Sequence, residues 1–120
     1  MNRIFEMKLR PDPFNRICSG EKTIEYRLQD EKRSLLNKGD YIRFTEMVDI
    51  PTAKEVLVRI EDIITAPTFV LLNEKLINMG LLSDGGFSLT NMRKYYSIEN
   101  ESKYGVMGIR IKVVDFSDME

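Results

Sequence analysis

Apolar and polar residues recur along the chain at spacings that predict a mixture of strands and helices. Apolar residues at every second position predict strands at residues 3–10, 23–29, 41–46, 54–64 and 104–114. Apolar residues three and four apart predict helices at residues 13–19, 67–79 and 88–97, with a loose helical turn at residues 31–37. The order β-α-β-β-β-α-α-β contains no repeat and no linker. We therefore expect one domain over residues 1–120, with strands of uneven length around one core and helices packed outside.

The first helix has both a start and a stop signal. Asp12 is the predicted N-cap and Pro13 the first helical residue, because proline is tolerated where the helical N–H has no acceptor. The apolar face consists of Phe14, Ile17 and Cys18. Cys18 is therefore predicted to be a buried packing thiol.

The strand after this helix carries ionic residues on one face. Ile24, Tyr26 and Leu28 form the apolar face, and the opposite face carries Thr23, Glu25 and Arg27. Gly20 ends the helix in the left-handed conformation. Lys22 is thereby expected at a tight corner, where its ammonium can meet Glu25 and Arg27. On spacing alone, ion pairs that keep a strand soluble are favoured over a functional cluster.

Composition restricts the chemistry that this chain can carry out. There is no histidine and only one cysteine, which excludes Ser-His and Cys-His catalysis and the usual zinc sites. No glycine-rich phosphate loop is present, because Gly85-Gly86 lacks both the spacing and the following lysine. We therefore predict no metal and no cofactor. A general base would have to be a carboxylate, a lysine, a tyrosine or water held by one of them.

Length and charge add two further expectations. The 120 residues, 42% of them hydrophobic, suffice for one core, and neither a membrane-span length of apolar residues nor a signal-peptide core is present, so we expect a soluble cytoplasmic protein. The net charge is −1, but basic residues outnumber acidic ones in residues 1–33 and 91–113. A fold that joins these two segments would create a basic patch, and chance distribution is the competing explanation for so small an imbalance.

Three sequence motifs resemble those of one known family. The pattern Gly20-x-Lys22-x-x-Glu25-x-Arg27 resembles the signature of the ASCH (activating-signal-cointegrator homology) domain family of the PUA-like superfamily. The run Leu36-x-Lys38-Gly39-Asp40-x-Ile42-x-Phe44 resembles the family's turn into a strand. The run from Tyr95 to Val106 resembles the segment before its last strand. The resemblance implies an α+β fold, a small PUA-like mixed β-barrel with peripheral helices and a cleft lined by the charged motif.

The resemblance also implies a partner and a possible reaction. The superfamily is associated with RNA and modified nucleotides or nucleosides. One ASCH branch hydrolyses the amide of acetylcytidine with a lysine, a threonine and a glutamate, and another is a ribonuclease. By motif position the lysine is Lys22, whereas the place of the threonine is taken by Glu25, with the Thr23 hydroxyl close by. No motif aligns the third group, for which Glu74, Glu99 and Glu101 are candidates.

Three hypotheses follow from these residues. The leading one is binding of RNA or a nucleotide, with Lys22 and Arg27 holding a phosphate or base carbonyl and Glu25 orienting them or accepting from an exocyclic amine. The predicted binding residues are Lys22, Thr23, Glu25, Arg27, Lys8, Arg10, Arg93, Tyr96 and Tyr104. The alternative is a small hydrolase acting on a modified nucleoside or on RNA, with Lys22 and Glu25 catalytic. The third is an interaction module with a structural ion cluster.

The tyrosines divide by their predicted position. Tyr26 is expected to pack in the core. Tyr95, Tyr96 and Tyr104 are the candidates for stacking on bases, because each has a cationic neighbour. Tyrosines at helical spacing more often pack than bind, so packing remains the competing interpretation for all three. The oligomeric state is left open.

Overall fold

The computed structural model describes residues 2–82, 87–115 and 117, and in these residues it contains five strands and four α-helices. In chain order the elements are β1 (Ile4–Leu9), α1 (Pro11–Cys18), β2 (Ile24–Leu28), β3 (Tyr41–Glu46), β4 (Glu55–Ala66), α2 (Phe69–Asn78), α3 (Leu89–Tyr95), α4 (Ile98–Tyr104) and β5 (Val106–Val113). A 3-10 turn at Arg33–Leu35 lies within the predicted loose turn. The loop predicted around residues 83–86 lies outside the described residues.

The strands form one mixed sheet in the order β1-β3-β4-β5-β2. Strands β1 and β3 pair in parallel, in a register that runs from Ile4 opposite Tyr41 to Leu9 opposite Glu46. Strands β3 and β4 pair antiparallel, with Ile42 opposite Val58. Parallel neighbours need a crossover connection, which here contains α1 and β2.

The chain groups into two compact units. The first comprises Met1–Glu25, Leu36–Asp62 and Arg110–Glu120, and the second comprises Tyr26–Leu35 and Ile63–Ile109. The single domain expected from the sequence stays a prediction.

The core of the first unit is apolar and almost inaccessible to water. Its most deeply buried side chains are Phe14, Ile17, Ile42, Phe44, Val58 and Ile60. Burial of each such side chain stabilises the fold by about 1.5–3 kcal/mol. The alternation predicted for β3 and β4 is confirmed by this burial.

The core of the second unit comes from the stripe predicted for α2 and from β5. Its most deeply buried side chains are Phe69, Leu72, Leu76, Val106, Met107 and Ile109. Gly80, with a φ of +74°, follows the end of α2 as predicted. Helix α2 therefore lies at the position predicted from the sequence, and Thr68 is its N-cap.

The predicted Gly39-Asp40 turn is a hydrogen-bonded junction in the first unit. Gly39 has a φ of +92°, which favours glycine, and Asp40 is buried. The Asp40 carboxylate accepts from the amide of Arg3 at 3.0 Å and from that of Asn37 at 3.1 Å. This carboxylate therefore fixes the start of β1 against the turn that leads into β3.

Two predictions about α1 are wrong. The N-cap is Arg10 rather than Asp12, and the helix begins at Pro11. Both Pro11 and Pro13 fit in the first turn, where the N–H groups need no helical acceptor. Cys18 is exposed rather than buried. Cys18 lies only about 40° from Phe14 around the helix axis, but it is the last residue of the helix, and the face buried by Phe14 and Ile17 does not extend to it.

The helix predicted at residues 88–97 is also wrong in its extent. Helix α3 ends at Tyr95, and α4 begins at Ile98 after Ser97, whose hydroxyl accepts from the amide of Asn100 at 3.1 Å. Tyr96 has extended backbone angles, so the two helices are separate. Strand β5 accordingly begins at Val106 instead of residue 104.

Candidate functional site

The corner between α1 and β2 is built by backbone hydrogen bonds around Gly20. This glycine has a φ of +82°, in the left-handed region. Its amide donates to the Ile17 carbonyl at 3.0 Å, and the amide of Lys22 donates to the Arg16 carbonyl at 2.9 Å. The main chain of Lys22 is therefore attached to the last turn of α1.

A second backbone bond fixes the other side of the corner. The amide of Ile111 in β5 donates to the carbonyl of Thr23 at 2.9 Å. Lys22 is thus held between two hydrogen-bonded residues, Arg16 on the helix and Thr23 at the start of the strand. Because both elements carry buried apolar residues, the position of Lys22 is set by the core.

The side chain of Lys22 forms an ion pair with Glu25. The distance from Nζ to Oε1 is 3.0 Å. The side chain of Lys22 is 17% exposed and that of Glu25 only 5%. The Thr23 side chain beside them is exposed. The ammonium, the carboxylate and the hydroxyl therefore lie within four consecutive residues, with the carboxylate inside and the hydroxyl outside.

Because this ion pair is buried, its contribution to the stability of the fold differs from that of a surface pair. Surface ion pairs contribute about 0–1 kcal/mol, whereas each buried ion loses several kcal/mol of hydration. Excellent geometry is needed to offset that loss, so a buried pair gives a fold little net stability. A charge in a partly dry environment also interacts more strongly with a ligand charge than it would in water.

The apolar residues of β2 are buried or half-buried, although burial along the strand does not alternate strictly, because Glu25 is buried as well. Ile24 and Leu28 are buried, and Tyr26 is half-buried with its ring 4.3 Å from that of Phe87. The predicted packing role of Tyr26 is therefore confirmed. Arg27 is half-buried and, two residues beyond Glu25, belongs to the same face of the strand.

Lys8 and Arg10 occupy the region around the end of β1. Lys8 is exposed and lines an open cavity of about 440 Å³, together with residues 45–49 and Ala53. Arg10 is exposed at the N-cap of α1. The structure therefore associates Lys8 with a cavity that the sequence did not indicate.

Arg93 and Tyr96 both belong to a network that organises the second unit. Arg93 forms an ion pair with Glu101, and that hydrogen bond raises the pKa of the Arg93 guanidinium. The other oxygen of Glu101 accepts from the amide of Phe69, at the start of α2, at 3.0 Å. The ring of Tyr96 lies 5.5 Å from that of Phe69, and its hydroxyl donates to the Tyr26 carbonyl at 3.4 Å.

Glu101, one of the candidates for a third catalytic group, has a structural role that the sequence did not indicate. It is buried, and its two oxygens bond to the amide of Phe69 at the start of α2 and to Arg93 in α3. Glu101 accepts a hydrogen bond from a backbone N–H at the start of α2 that has no acceptor within the helix. Its negative charge also interacts favourably with the positive end of the helix dipole. Glu74 and Glu99 are exposed.

Tyr104 is half-buried in the last turn of α4. The ammonium of Lys103 lies 5.0 Å from the centre of its ring, within the range of a cation–π contact. In residues 2–82, 87–115 and 117, no group of three or more Asp, Glu or Cys side chains could hold a metal ion. In the same residues, no helix has the length and apolar character needed to cross a bilayer.

Comparisons with known proteins identify the family. The ASCH domain model matches residues 7–115. No match is found among curated proteins. The solved structure of hypothetical protein PH0355 is 31% identical, with a TM-score of 0.70, over 92% of this chain and 99% of that one. Protein PF0455 from Pyrococcus furiosus is 30% identical, with a TM-score of 0.65, over 94% and 99% of the two chains.

A more distant likeness concerns the fold alone. The S128A mutant of ZmASCH from Zymomonas mobilis is 15% identical, with a TM-score of 0.63, over 95% of this chain and 75% of that one. The α+β, PUA-like fold class expected from the sequence is confirmed by this likeness and by the mixed five-stranded sheet with its four helices. With a family model that matches residues 7–115, the chain belongs to the ASCH domain family.

Proposed function

We propose that this protein binds RNA or a nucleotide through Lys22, Thr23, Glu25 and Arg27. The observation that carries the proposal is the ion pair of Lys22 and Glu25, 3.0 Å apart and mostly removed from water. The ASCH family is generally linked to RNA binding, which agrees with a ligand that carries phosphate. Lys8 and Arg10 of the first unit, and Arg93, Tyr96 and Tyr104 of the second unit, are further proposed binding residues, and a single cytoplasmic domain is proposed with them.

Energetics supports a binding role for the ion pair. A buried pair adds little to the stability of the fold, so stability alone gives a weak reason for its presence. Recognition gives a stronger one, because an ammonium held in place by a carboxylate does not have to be ordered when the ligand arrives. The backbone bonds on either side of Lys22 provide this order in advance.

Each member of the motif has a distinct role in the proposal. Lys22 and Arg27 bind a phosphate oxygen or a base carbonyl, and the planar guanidinium of Arg27 is suited to bidentate contact. Glu25 orients Lys22 and can accept from an exocyclic amine, as carboxylates do with cytosine. Thr23 offers an exposed hydroxyl to the sugar or phosphate.

Binding of labelled single-stranded RNA, followed by fluorescence anisotropy at low and moderate salt, tests the proposal. We expect salt-sensitive binding by the parent and much weaker binding by Lys22→Ala. Lys38→Ala is the matched control, because Lys38 is an exposed lysine in the turn before β3 and its loss changes the net charge equally.

A folding defect must be separated from a binding defect, since Lys22→Ala leaves Glu25 buried without its ammonium. The double variant Lys22→Met with Glu25→Leu removes both charges and is expected to fold but not to bind. Parent-like RNA binding by this double variant, with its fold verified by circular dichroism, would exclude the proposed site.

Hydrolysis of a modified nucleoside or of RNA is the second candidate function. It is favoured by the Thr23 hydroxyl, which lies beside a lysine and a glutamate that are already in contact. In that case Glu25→Gln, which keeps the shape of the side chain, abolishes turnover while RNA still binds. Incubation of acylated nucleosides and short RNAs with the parent, followed by chromatography, tests this function. If all of these substrates remain intact, hydrolysis is excluded for them and binding is the function that remains.

A further inference from the structure

We propose that Tyr95 and Lys94, where α3 meets α4, form a stacking and phosphate-binding subsite for single-stranded RNA. This inference rests on the proposed function and specifies a residue for base contact in the second unit. It selects Tyr95 from the three tyrosines considered for stacking, although the residues predicted for binding from the sequence include Tyr96 and Tyr104 instead.

The environments of the three tyrosines distinguish them. The ring of Tyr96 packs against Phe69, and its hydroxyl bonds to a backbone carbonyl. Tyr104 is half-buried, with the ammonium of Lys103 over its ring. Tyr95 is 52% exposed, whereas the other tyrosines are buried or half-buried. Tyr95 is therefore the tyrosine whose ring is most accessible to an unstacked base.

The position of Tyr95 is fixed by its neighbours on both sides. Two residues earlier, Arg93 is paired with the buried Glu101 of α4. One residue later, Tyr96 is anchored to Phe69 in extended conformation and ends the helix. An aromatic side chain on an element held in this way loses little conformational entropy when it binds a ligand.

The charges around Tyr95 favour RNA over a protein partner. The Arg93–Glu101 pair is neutral as a unit, and the remaining charged residues of residues 93–104 are Lys94, Lys103 and Glu99. Lysine therefore outnumbers glutamate here, and Lys94 is an exposed residue that precedes Tyr95 in the last turn of α3. Aromatic rings for the bases and cations for the phosphates are the two components by which single-stranded nucleic acids are bound without sequence preference.

A second exposed apolar residue, Ile98, is close to Tyr95 in the sequence. It is 65% exposed and follows Tyr95 by three residues, across the Ser97 cap. An exposed apolar side chain of this size can contact the edge of a base stacked on the tyrosine. The surface therefore combines apolar contact for the base with a cation for the phosphate.

Two labelled strands of equal length, oligoadenylate RNA and a fully abasic strand, separate base stacking from phosphate contact. By fluorescence anisotropy with the full chain, Tyr95→Ala should weaken oligoadenylate binding about tenfold, or about 1.4 kcal/mol, and should leave the weaker abasic binding unchanged. Tyr95→Phe keeps the ring and should bind as the parent does. For both strands, Lys94→Gln should lower the number of phosphate contacts inferred from the salt dependence of binding by about one.

Matched controls make the result decisive. Leu71→Ala removes another exposed apolar side chain of the second unit and should have no effect. If Lys22→Ala weakens binding while Tyr95→Ala leaves it unchanged, the inference is overturned and the proposed function stands. An equal loss with the abasic strand also overturns it, because stacking cannot be the cause. If the parent binds no RNA, the proposed function fails and the inference with it.

Discussion

The ion pair of Lys22 and Glu25 should behave asymmetrically when its members are removed one at a time. Lys22→Met leaves a carboxylate that is only 5% exposed, and the loss of a buried charge partner costs about 3–5 kcal/mol. Glu25→Leu leaves an ammonium that is 17% exposed on a flexible stem, which can turn toward water, so we expect about half that cost. The double variant removes both charges of the pair and replaces them with apolar side chains of similar size, so its free energy of unfolding should lie within about 1 kcal/mol of that of the parent, or above it.

Urea unfolding of the four proteins at neutral pH measures these differences as a double-mutant cycle. With a slope of about 2 kcal/mol per molar urea, a loss of 3 kcal/mol lowers the midpoint by about 1.5 M. The expected coupling between the two substitutions is at least about 3 kcal/mol, because the double variant removes the cost of each single one. If the costs of the single variants simply add, or if Glu25→Leu is the more damaging, the assignment of a buried and asymmetrically solvated pair is refuted.

Further predictions concern the corner, the helix network and pH. Gly20→Ala should lower the free energy of unfolding by about 1–2 kcal/mol, because the φ of +82° disfavours a residue with a side chain. Gly20→Asn should lower it less, and the urea midpoints of the two variants test this order. Glu101→Leu should cost about 1–3 kcal/mol more than Glu101→Gln, since glutamine keeps an acceptor for the Phe69 amide, and equal urea midpoints would contradict this. The hydrogen bond from Arg43 holds the pKa of the Glu6 carboxyl below its ordinary value. The stabilising contribution of this ion pair is therefore present above the unfolded-state pKa of about 4.3, and it is lost as the pH falls through the lower pKa of the folded state. Carboxyl NMR titration should show this depression in the parent and not in Arg43→Gln.

Local signals in the sequence were sufficient for much of the fold. Strand β3 lies at residues 41–46, as its alternation and the Gly39-Asp40 turn predict. Gly20 has the left-handed backbone expected from its place after an apolar helical stripe. The contact of Lys22 with Glu25 could also be predicted, because the two residues are only three positions apart.

Long-range contacts and the limits of short helices could not be predicted from local sequence patterns. The burial of Glu101 depends on the Phe69 amide, 32 positions away, which no local pattern indicates. The division between α3 and α4 depends on the Ser97 cap, a signal that the apolar spacing from Met92 to Tyr96 concealed. Cys18 shows the same limit, because a helix of 8 residues gives few positions from which to define its buried direction.

The parallel pairing of β1 and β3 has a consequence for the path of folding. Each residue of β1 faces a residue 37 positions later in the chain, as Ile4 faces Tyr41. On the ribosome, β1 therefore emerges well before the strand that completes its hydrogen bonds, and the intervening helix and strand must be spanned before the two can join. Closing so long a segment is entropically costly and slows folding. The antiparallel pairing of β3 with β4 needs a much shorter closure, so we infer that these two strands pair first and that β1 is added to them afterwards.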